Sequence, residues 1–497
     1  MDNARAGELR SAVIEAVWRA VDPIPYVRSA TLAGSFSTGL GLEGIADLDT
    51  IVIVDLLDAA RFAELQERFR AELEPVLAAC GYALGINPTL GPLKFNEPQT
   101  AVLHLMVYSA AAHREHAVKS PFTCLDWQRS GLWRKAAMES VYAVFGLQPH
   151  HFISARRGAR DYLHDLVGGV VTYRELCFDA GGYREVQRRK PMTPRDRHEF
   201  AYHVMRFLMQ NFLKLVRRRN EVDDGQRLLS AYFDRFPEGA GTFAGLFREL
   251  VERKASGRFE PPTPELTGRV TAFVEAFESQ FREAFERRAT RHLVFRHAPT
   301  RPDPPSGDAV VFEGRSDPGL PAGEPAGLDR LAATIEGLGP REVHVSPLQR
   351  AAASLGLLAR RAGGLPAPVA DRRLAEIDYG RCEGLTVAEV RRRHPELFAA
   401  WERGEDPAFP GGENTASVLD RVRSFAAARW EGAQGPSVTC THNVVLRCLV
   451  GDLLNVPSSR WYRIRIPHLA PIRVVATERF GLFVDLDEDV EREMFAE

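Results

Sequence analysis

From residue 291 to the end of this 497-residue chain, short apolar runs alternate with helix-length segments. Strands are expected at 292–297, 342–346, 436–441, 471–477 and 480–485. Helices are expected at 326–338, 348–363, 386–397, 414–431 and 443–454, with a Pro/Gly-rich loop at 298–325. Alternating β and α segments constrain the chain to a mostly parallel sheet with helices on both faces. Ligands of such sheets gather beyond the C-terminal ends of the strands. Arg296 and His297 fall at such an end, after Leu293, Val294 and Phe295.

A neutral imidazole can attack phosphorus, given cations around the phosphoryl oxygens and an acid for the leaving group. The sequence offers these groups at strand ends or helix starts. Arg350 follows the strand 342–346, Glu376 lies in the stretch 374–384, and His442 follows the strand 436–441. Pro410-Gly411-Gly412-Glu413-Asn414 is a turn that opens a helix.

In that order, these blocks resemble the histidine phosphatase superfamily, which includes the phosphoglycerate mutases. The resemblance spans about 291–497. It implies a three-layer α/β domain over 290–497, with His297 as nucleophile and Glu376 as proton donor. Arg296, Arg350 and His442 would form the phosphate pocket. Residues 296–300 stand at the family's R-H-G-x-T, with Ala298 for Gly, and 314–320 match a Gly-x-x-Asp-x-x-Leu loop. Asp303 or a neighbour occupies the region where many members place an Asn, and Asn443 stands where Gly is frequent. Asp378 and Glu383 are expected to brace loops, and His292, His344 and His394 to fill surface or core. His468 lies near the expected rim, open to either reading. The loop-like 298–325 favours hydrolysis over a mutase reaction.

The N-terminal region carries a second constellation. A strand over 26–33 runs into Gly34-Ser35 and a Gly-rich turn, and Asp47-Leu48-Asp49 starts a strand over 47–55. A helix over 58–80 and a strand over 100–108 follow. Side chains alternate along a strand, so Asp47 and Asp49 share one face. Two such carboxylates can hold Mg²⁺ bridging a nucleotide's phosphates, and Gly34 and Ser35 can approach phosphate oxygens.

These residues resemble the nucleotidyltransferase superfamily of the DNA polymerase β type, over about 25–110. The resemblance implies a small mixed-sheet core. It implies transfer of a nucleoside monophosphate from an NTP, with Gly34 and Ser35 on the triphosphate and Asp47 and Asp49 on the metal. The family's third carboxylate is missing. The matching strand offers His104, which can position an acceptor, act as a base, or mark a core that no longer catalyses.

Between these regions, 116–289 is expected to be an all-helical domain. Its helices are placed at 131–146, 157–176, 194–219, 241–254 and 265–289, with an exposed loop at 181–197. Its Arg runs are expected on solvated faces, and a groove for RNA is the less favoured reading. Lys and Arg (64) nearly balance Asp and Glu (66), so bulk charge does not mark a polyanion binder. Six Cys without a C-x-x-C pair make neither a disulfide framework nor a zinc site, and a reducing cytoplasm is the simplest setting. The N-terminus reads as an amphipathic helix, and no apolar run is long enough to span a membrane.

The division expected is therefore 1–115, 116–289 and 290–497, an α/β multidomain chain. The leading expectation is a bifunctional enzyme. One half transfers a nucleoside monophosphate to a small-molecule acceptor with Mg²⁺, and the other hydrolyses a phosphomonoester. Two alternatives stay open: nucleotidyl transfer to a protein or an RNA end, and a phosphatase carrying an inactive, sensor-like N-terminal domain.

Overall fold

The computed structural model describes residues 3–37, 47–93, 99–152, 155–219, 225–259, 264–301 and 307–495. The turn glycines Gly39, Gly41 and Gly44, and Asp303, lie outside the described residues, as does the side chain of Ser35.

The first unit comprises α1 (Asn3–Val21), β1 (Val27–Leu32), β2 (Asp47–Val54), α2 (Ala59–Ala78), β3 (Ala83–Asn87) and β4 (Thr100–Ser109). Helices α3 (Ala110–Lys119) and α4 (Pro121–Trp127) lead to β5 (Leu132–Lys135). The sheet order is β3-β4-β2-β1-β5. β2 and β3 run parallel to β4, and β1 runs antiparallel to β2 and β5. The sheet is thus mixed. Leu48, Val52 and Val54 of β2 pack with Leu103 and Leu105 under α1 and α2, joined by Val13, Val17, Leu65 and Phe69. Alternation sends Asp47 and Asp49 to the opposite face, where Ile51 and Ile53 meet Met106 and Tyr108.

The middle differs from the all-helical expectation. In place of a helix at 131–146, β5 joins the first sheet and a short helical turn follows at Met138–Ser140. Helix α5 (Ala155–Gly168) stops eight residues short of the expected end. Gly169, at φ +66°, turns the chain, and Val170-Val171-Thr172-Tyr173 then favours strand over helix. β6 (Val170–Asp179) pairs antiparallel with β7 (Gly182–Pro191), so the expected loop at 181–197 is a hairpin arm followed by a helix start. Its arginines form cross-strand ion pairs, Arg174–Glu185 at 2.5 Å and Arg188–Glu175 at 3.0 Å. The hairpin bridges to the first unit through Leu90 and Arg174, which exchange two backbone hydrogen bonds of 2.8 Å.

Helices α6 (Pro194–Arg217), α7 (Gly225–Phe233), α8 (Ala240–Ser256) and α9 (Pro264–Arg282) complete the middle. Their Phe-rich core includes Phe212, Phe277 and Phe281, and it takes in Val475 and Phe483 from the C-terminal region.

The C-terminal region contains β8 (Thr290–Arg296), α10 (Leu328–Leu338), β9 (Glu342–Val345), α11 (Gln349–Arg361) and β10 (Pro368–Ala370). After these come α12 (Val387–Arg393), α13 (Pro395–Glu402), α14 (Thr415–Arg429), β11 (Ser437–Thr441) and α15 (Asn443–Leu453). The chain closes with β12 (Ile472–Thr477), β13 (Gly481–Asp485) and α16 (Glu488–Phe495). The single helix expected at 386–397 divides at His394, because Pro395 has no N–H to continue it.

The sheet order is β10-β9-β11-β8-β12-β13, with the first four strands parallel. Leu293 and Phe295 face α10 and α11, whereas Val294 faces α14 and α15. Two apolar faces, each covered by helices, make three layers.

Candidate phosphate site and N-terminal carboxylate site

Strands β8 and β11 lie side by side in register, with Arg296 opposite Thr441. His297 and His442, the next residues on each, therefore leave the sheet together. Their rings are 5.0 Å apart, and both are buried. His297 Nδ1 lies 2.7 Å from the Ala298 carbonyl oxygen. A carbonyl only accepts, so Nδ1 carries the proton and Nε2 keeps its lone pair. Arg350 donates its Nε–H to that Nε2 at 3.2 Å. Burial holds His297 neutral, well below the ordinary imidazole range, and the charges of Arg296 and Arg350 push the same way.

Arg350 is itself fixed. Its terminal nitrogens donate to the carbonyls of Ser316 (2.6 Å) and Gly314 (2.8 Å). That loop is held by Glu383, whose carboxylate accepts from the amides of Gly314, Arg315 and Ser316. A Cβ at Gly314 would lie 2.2 Å from the Ile377 carbonyl oxygen, so glycine alone lets the loop approach this closely.

His442 Nε2 meets Ser346 Oγ at 2.7 Å, while its Nδ1 is buried without a hydrogen-bond partner among the described residues. Arg296 donates to the Ile466 carbonyl at 3.0 Å, and its Nε is likewise buried and unpartnered. Burial lowers the Arg296 guanidinium to about 10 and holds His442 well below the ordinary imidazole range. Glu376 is buried, its carboxylate accepting from the amides of Ile377 (3.0 Å) and Val444 (3.2 Å). Val444 belongs to the first turn of α15, where orphan N–H groups attract a carboxylate.

The five residues expected at this site thus occupy one end of the parallel strands. His468 joins them, with Nδ1 2.6 Å from the His297 carbonyl oxygen and its ring 5.4 Å from that of His297. Two supports were not singled out from sequence. Ser346 holds His442, and Ser354 accepts from the Ala298 amide while donating to the Arg350 carbonyl. A Ser ending strand 342–346 was the available signal for the first; Ser354, inside a helix, gives none. Asp378 and Glu383 brace backbone, as expected. His292 stacks on Trp430, and His344 lies between Glu342 and Phe425.

In the first unit, β2 and β4 pair with Asp49 opposite His104. His104 Nδ1 lies 3.0 Å from Asp49 Oδ1, and its Nε2 lies 3.0 Å from the Thr89 carbonyl oxygen. Gly34 adopts φ +71°, and a Cβ there would fall 2.2 Å from Asp49 Oδ2. Gly34, Asp49 and His104 are thus brought together, with Asp47 on the same face of β2. Both imidazole nitrogens face protein oxygens, which leaves His104 no position for a metal. The carboxylates of Asp47 and Asp49 are oxygen donors of the kind that would suit a Mg²⁺.

A model of the histidine phosphatase superfamily (branch 1) matches residues 292–487. The chain is similar to "Bifunctional protein Rv2228c" of Mycobacterium tuberculosis, 34% identical over 182 residues, covering 36% of this chain and 48% of that protein. It is similar to phosphoserine phosphatase 1 of Hydrogenobacter thermophilus, 34% identical over 96 residues, covering 19% and 46%. The chain spans about half the length of these curated relatives. Glucosyl-3-phosphoglycerate phosphatase of Mycobacterium tuberculosis is 31% identical over 147 residues, covering 27% of this chain and 65% of that protein. The solved structure of that mycobacterial phosphatase aligns with a TM-score of 0.34 at 25% identity, covering 40% of this chain and 98% of that one. Among the described residues, no helix is long and apolar enough to cross a membrane.

Proposed function

We propose that this chain, whose C-terminal domain is a histidine phosphatase domain, hydrolyses phosphomonoesters through a phosphohistidine on His297. The observation that carries this reading is the pair of buried, unspent nitrogens, Arg296 Nε and His442 Nδ1, beside a neutral His297 with its lone pair on Nε2. An unpaired buried polar group is costly, and a phosphoryl group supplies the acceptors that satisfy both.

His297 Nε2 attacks phosphorus, and the bond from phosphorus to the ester oxygen breaks. Glu376 gives the leaving alkoxide its proton and then takes one from the water that attacks the phosphohistidine. Inorganic phosphate leaves and the imidazole is regenerated. Arg296, Arg350 and His442 hold the phosphoryl oxygens as charge spreads over them. The test is acid-free quenching during turnover of a phosphomonoester. A phosphoryl adduct on His297 is expected, absent in His297→Ala; full turnover by that variant would defeat the reading.

A second activity is favoured by the N-terminal unit, because the glycine at 34 lets the Asp49 carboxylate approach its backbone, on the face that Asp49 shares with Asp47. Here Asp47 and Asp49 would hold Mg²⁺, which would supply charge neutralisation for an NTP's phosphates. Gly34 and Ser35 lie along the triphosphate, and a small-molecule acceptor takes the nucleoside monophosphate. His104, tied to Asp49 and Thr89, orients that carboxylate. Thermal shifts with ATP, GTP, CTP or UTP and Mg²⁺ on His297→Ala protein test this. A shift with one nucleotide that disappears on Asp47→Asn/Asp49→Asn supports it. No shift with any nucleotide leaves a phosphatase with an inert N-terminal domain. The name of the mycobacterial relative is consistent with two activities in one chain. On this reading, both substrates meet the chain away from membranes, in the cytoplasm.

A further inference from the structure

Beside the phosphate site lies a cavity of about 470 Å³ that phosphoryl transfer does not use. Phe312, Tyr379, Phe398, Trp401, Phe409 and Trp461 line it. Four of these rings form a continuous edge-to-face and tilted wall. Phe312 meets Tyr379 at 4.9 Å, Tyr379 meets Phe409 at 4.8 Å, and Phe409 meets Trp401 at 5.6 Å. Phe398 extends the wall from Trp401 at 4.9 Å.

The cavity is bounded by two residues that hold the proton donor. Ile377 and Val444 line it, and the backbone amides of these same residues hold the Glu376 carboxylate. An alcohol that receives its proton from Glu376 therefore departs next to this wall. The volume is ordinary for a small-molecule site and several times that of a water molecule. Aromatic walls favour flat ring partners, by offset and edge-to-face contacts beyond the area they bury.

We propose that this cavity receives the leaving alcohol, and that the substrate is the phosphomonoester of an alcohol bearing an aromatic ring. The proposal rests on the phosphatase reading of His297. The ring lies against the face formed by Trp401 and Phe409, and its ester oxygen faces Glu376. Burying a ring against these residues separates ring-bearing from ring-free substrates by about tenfold or more in kcat/KM.

The test compares 2-phenylethyl phosphate with ethyl phosphate, two primary alkyl esters with similar leaving groups, using the full chain. The expected result is a kcat/KM about tenfold or more higher for the phenylethyl ester. Trp401→Ala and Tyr462→Ala, the latter a side chain on an exposed residue of the lining, are expected to lower that ratio severalfold and leave ethyl phosphate turnover unchanged. Equal kcat/KM for the two esters in the unmodified chain overturns the proposal, as does an equal loss for both in both variants. Turnover of neither ester, with no adduct on His297, overturns the phosphatase reading instead.

Discussion

The Nε–H of Arg350 points at the lone pair of His297 Nε2 from 3.2 Å, while each terminal nitrogen of the same guanidinium gives one hydrogen to a loop carbonyl and keeps a second for a phosphoryl oxygen. The cation is thus set in place before any phosphate arrives, and its Nε–H has only to pass from the imidazole lone pair to a phosphoryl oxygen as His297 attacks. A lysine ammonium is a single point and cannot span the three partners. Arg350→Lys is expected to lower kcat about 10²-fold or more. Steady-state kinetics on any phosphomonoester the chain turns over checks this, and a loss below threefold would contradict it.

Glu383 acts through the loop that Arg350 grips. Its two oxygens accept from the amides of Gly314, Arg315 and Ser316 and from the Ser316 hydroxyl, a set that needs two acceptors. Glu383→Gln offers one acceptor and one donor. The loop loosens, and KM and the inhibition constant of inorganic phosphate are expected to rise more than kcat falls. A fall in kcat alone would instead place Glu383 in the chemistry.

Glu491 gives a pH test. Burial raises its carboxyl to about 7, against an ordinary 4.5. Between those values the folded chain keeps a proton that the unfolded chain releases, so stability from this group is lost as pH rises through 7. Glu491→Gln does not titrate. Its stability is expected to gain on the parent between pH 6 and pH 8 by about 1.4 kcal/mol, seen as a relative rise in Tm, because about one pH unit of that interval lies below the folded value. Identical Tm differences at both pH values would refute the assignment.

The buried histidines act in the opposite sense. His151, His297 and His442 are held neutral by burial, well below the ordinary imidazole range. The unfolded chain takes up protons at these positions below about pH 6.5, and the folded chain does not. Stability is therefore lost as pH falls from 6.5. Calorimetric Tm values in the Glu491→Gln background, where the opposing group is removed, are expected to drop steadily between pH 6.5 and pH 5.

Gly34→Ala separates the two halves. Its new Cβ would collide with Asp49 Oδ2, and φ +71° is strained for alanine. The Mg²⁺-nucleotide thermal shift is expected to vanish while phosphomonoester turnover stays at the parental rate. Loss of both would show coupled sites or a folding defect.

The positions of Arg296, His297 and His442 were legible because they stand at strand ends, which are read from apolar runs such as Leu293-Val294-Phe295, whereas the roles of Arg350 and Glu376 came from the resemblance of their blocks to the histidine phosphatases. The β8 and β11 register that pairs His297 with His442 follows from those same runs. The hairpin was not legible. Arg184, Arg188 and Arg189 on β7 lie in a charged stretch that reads as an exposed loop, and partners across the hairpin, such as Glu175 for Arg188, are distant in sequence. The aromatic cavity was missed because Phe312, Tyr379, Trp401 and Trp461 lie far apart in the chain and share no period.

β5 has a practical consequence. Its residues Leu132–Lys135 cover the outer edge of β1 from beyond two intervening helices. A chain cut after residue 115 would bare the ladder groups of Ser29 to Leu32, an unpaired edge of the kind that templates aggregation. The smallest fragment able to keep the first sheet closed extends at least to Lys135. Insolubility of a shorter piece would reflect where it was cut rather than what the intact sheet can bind.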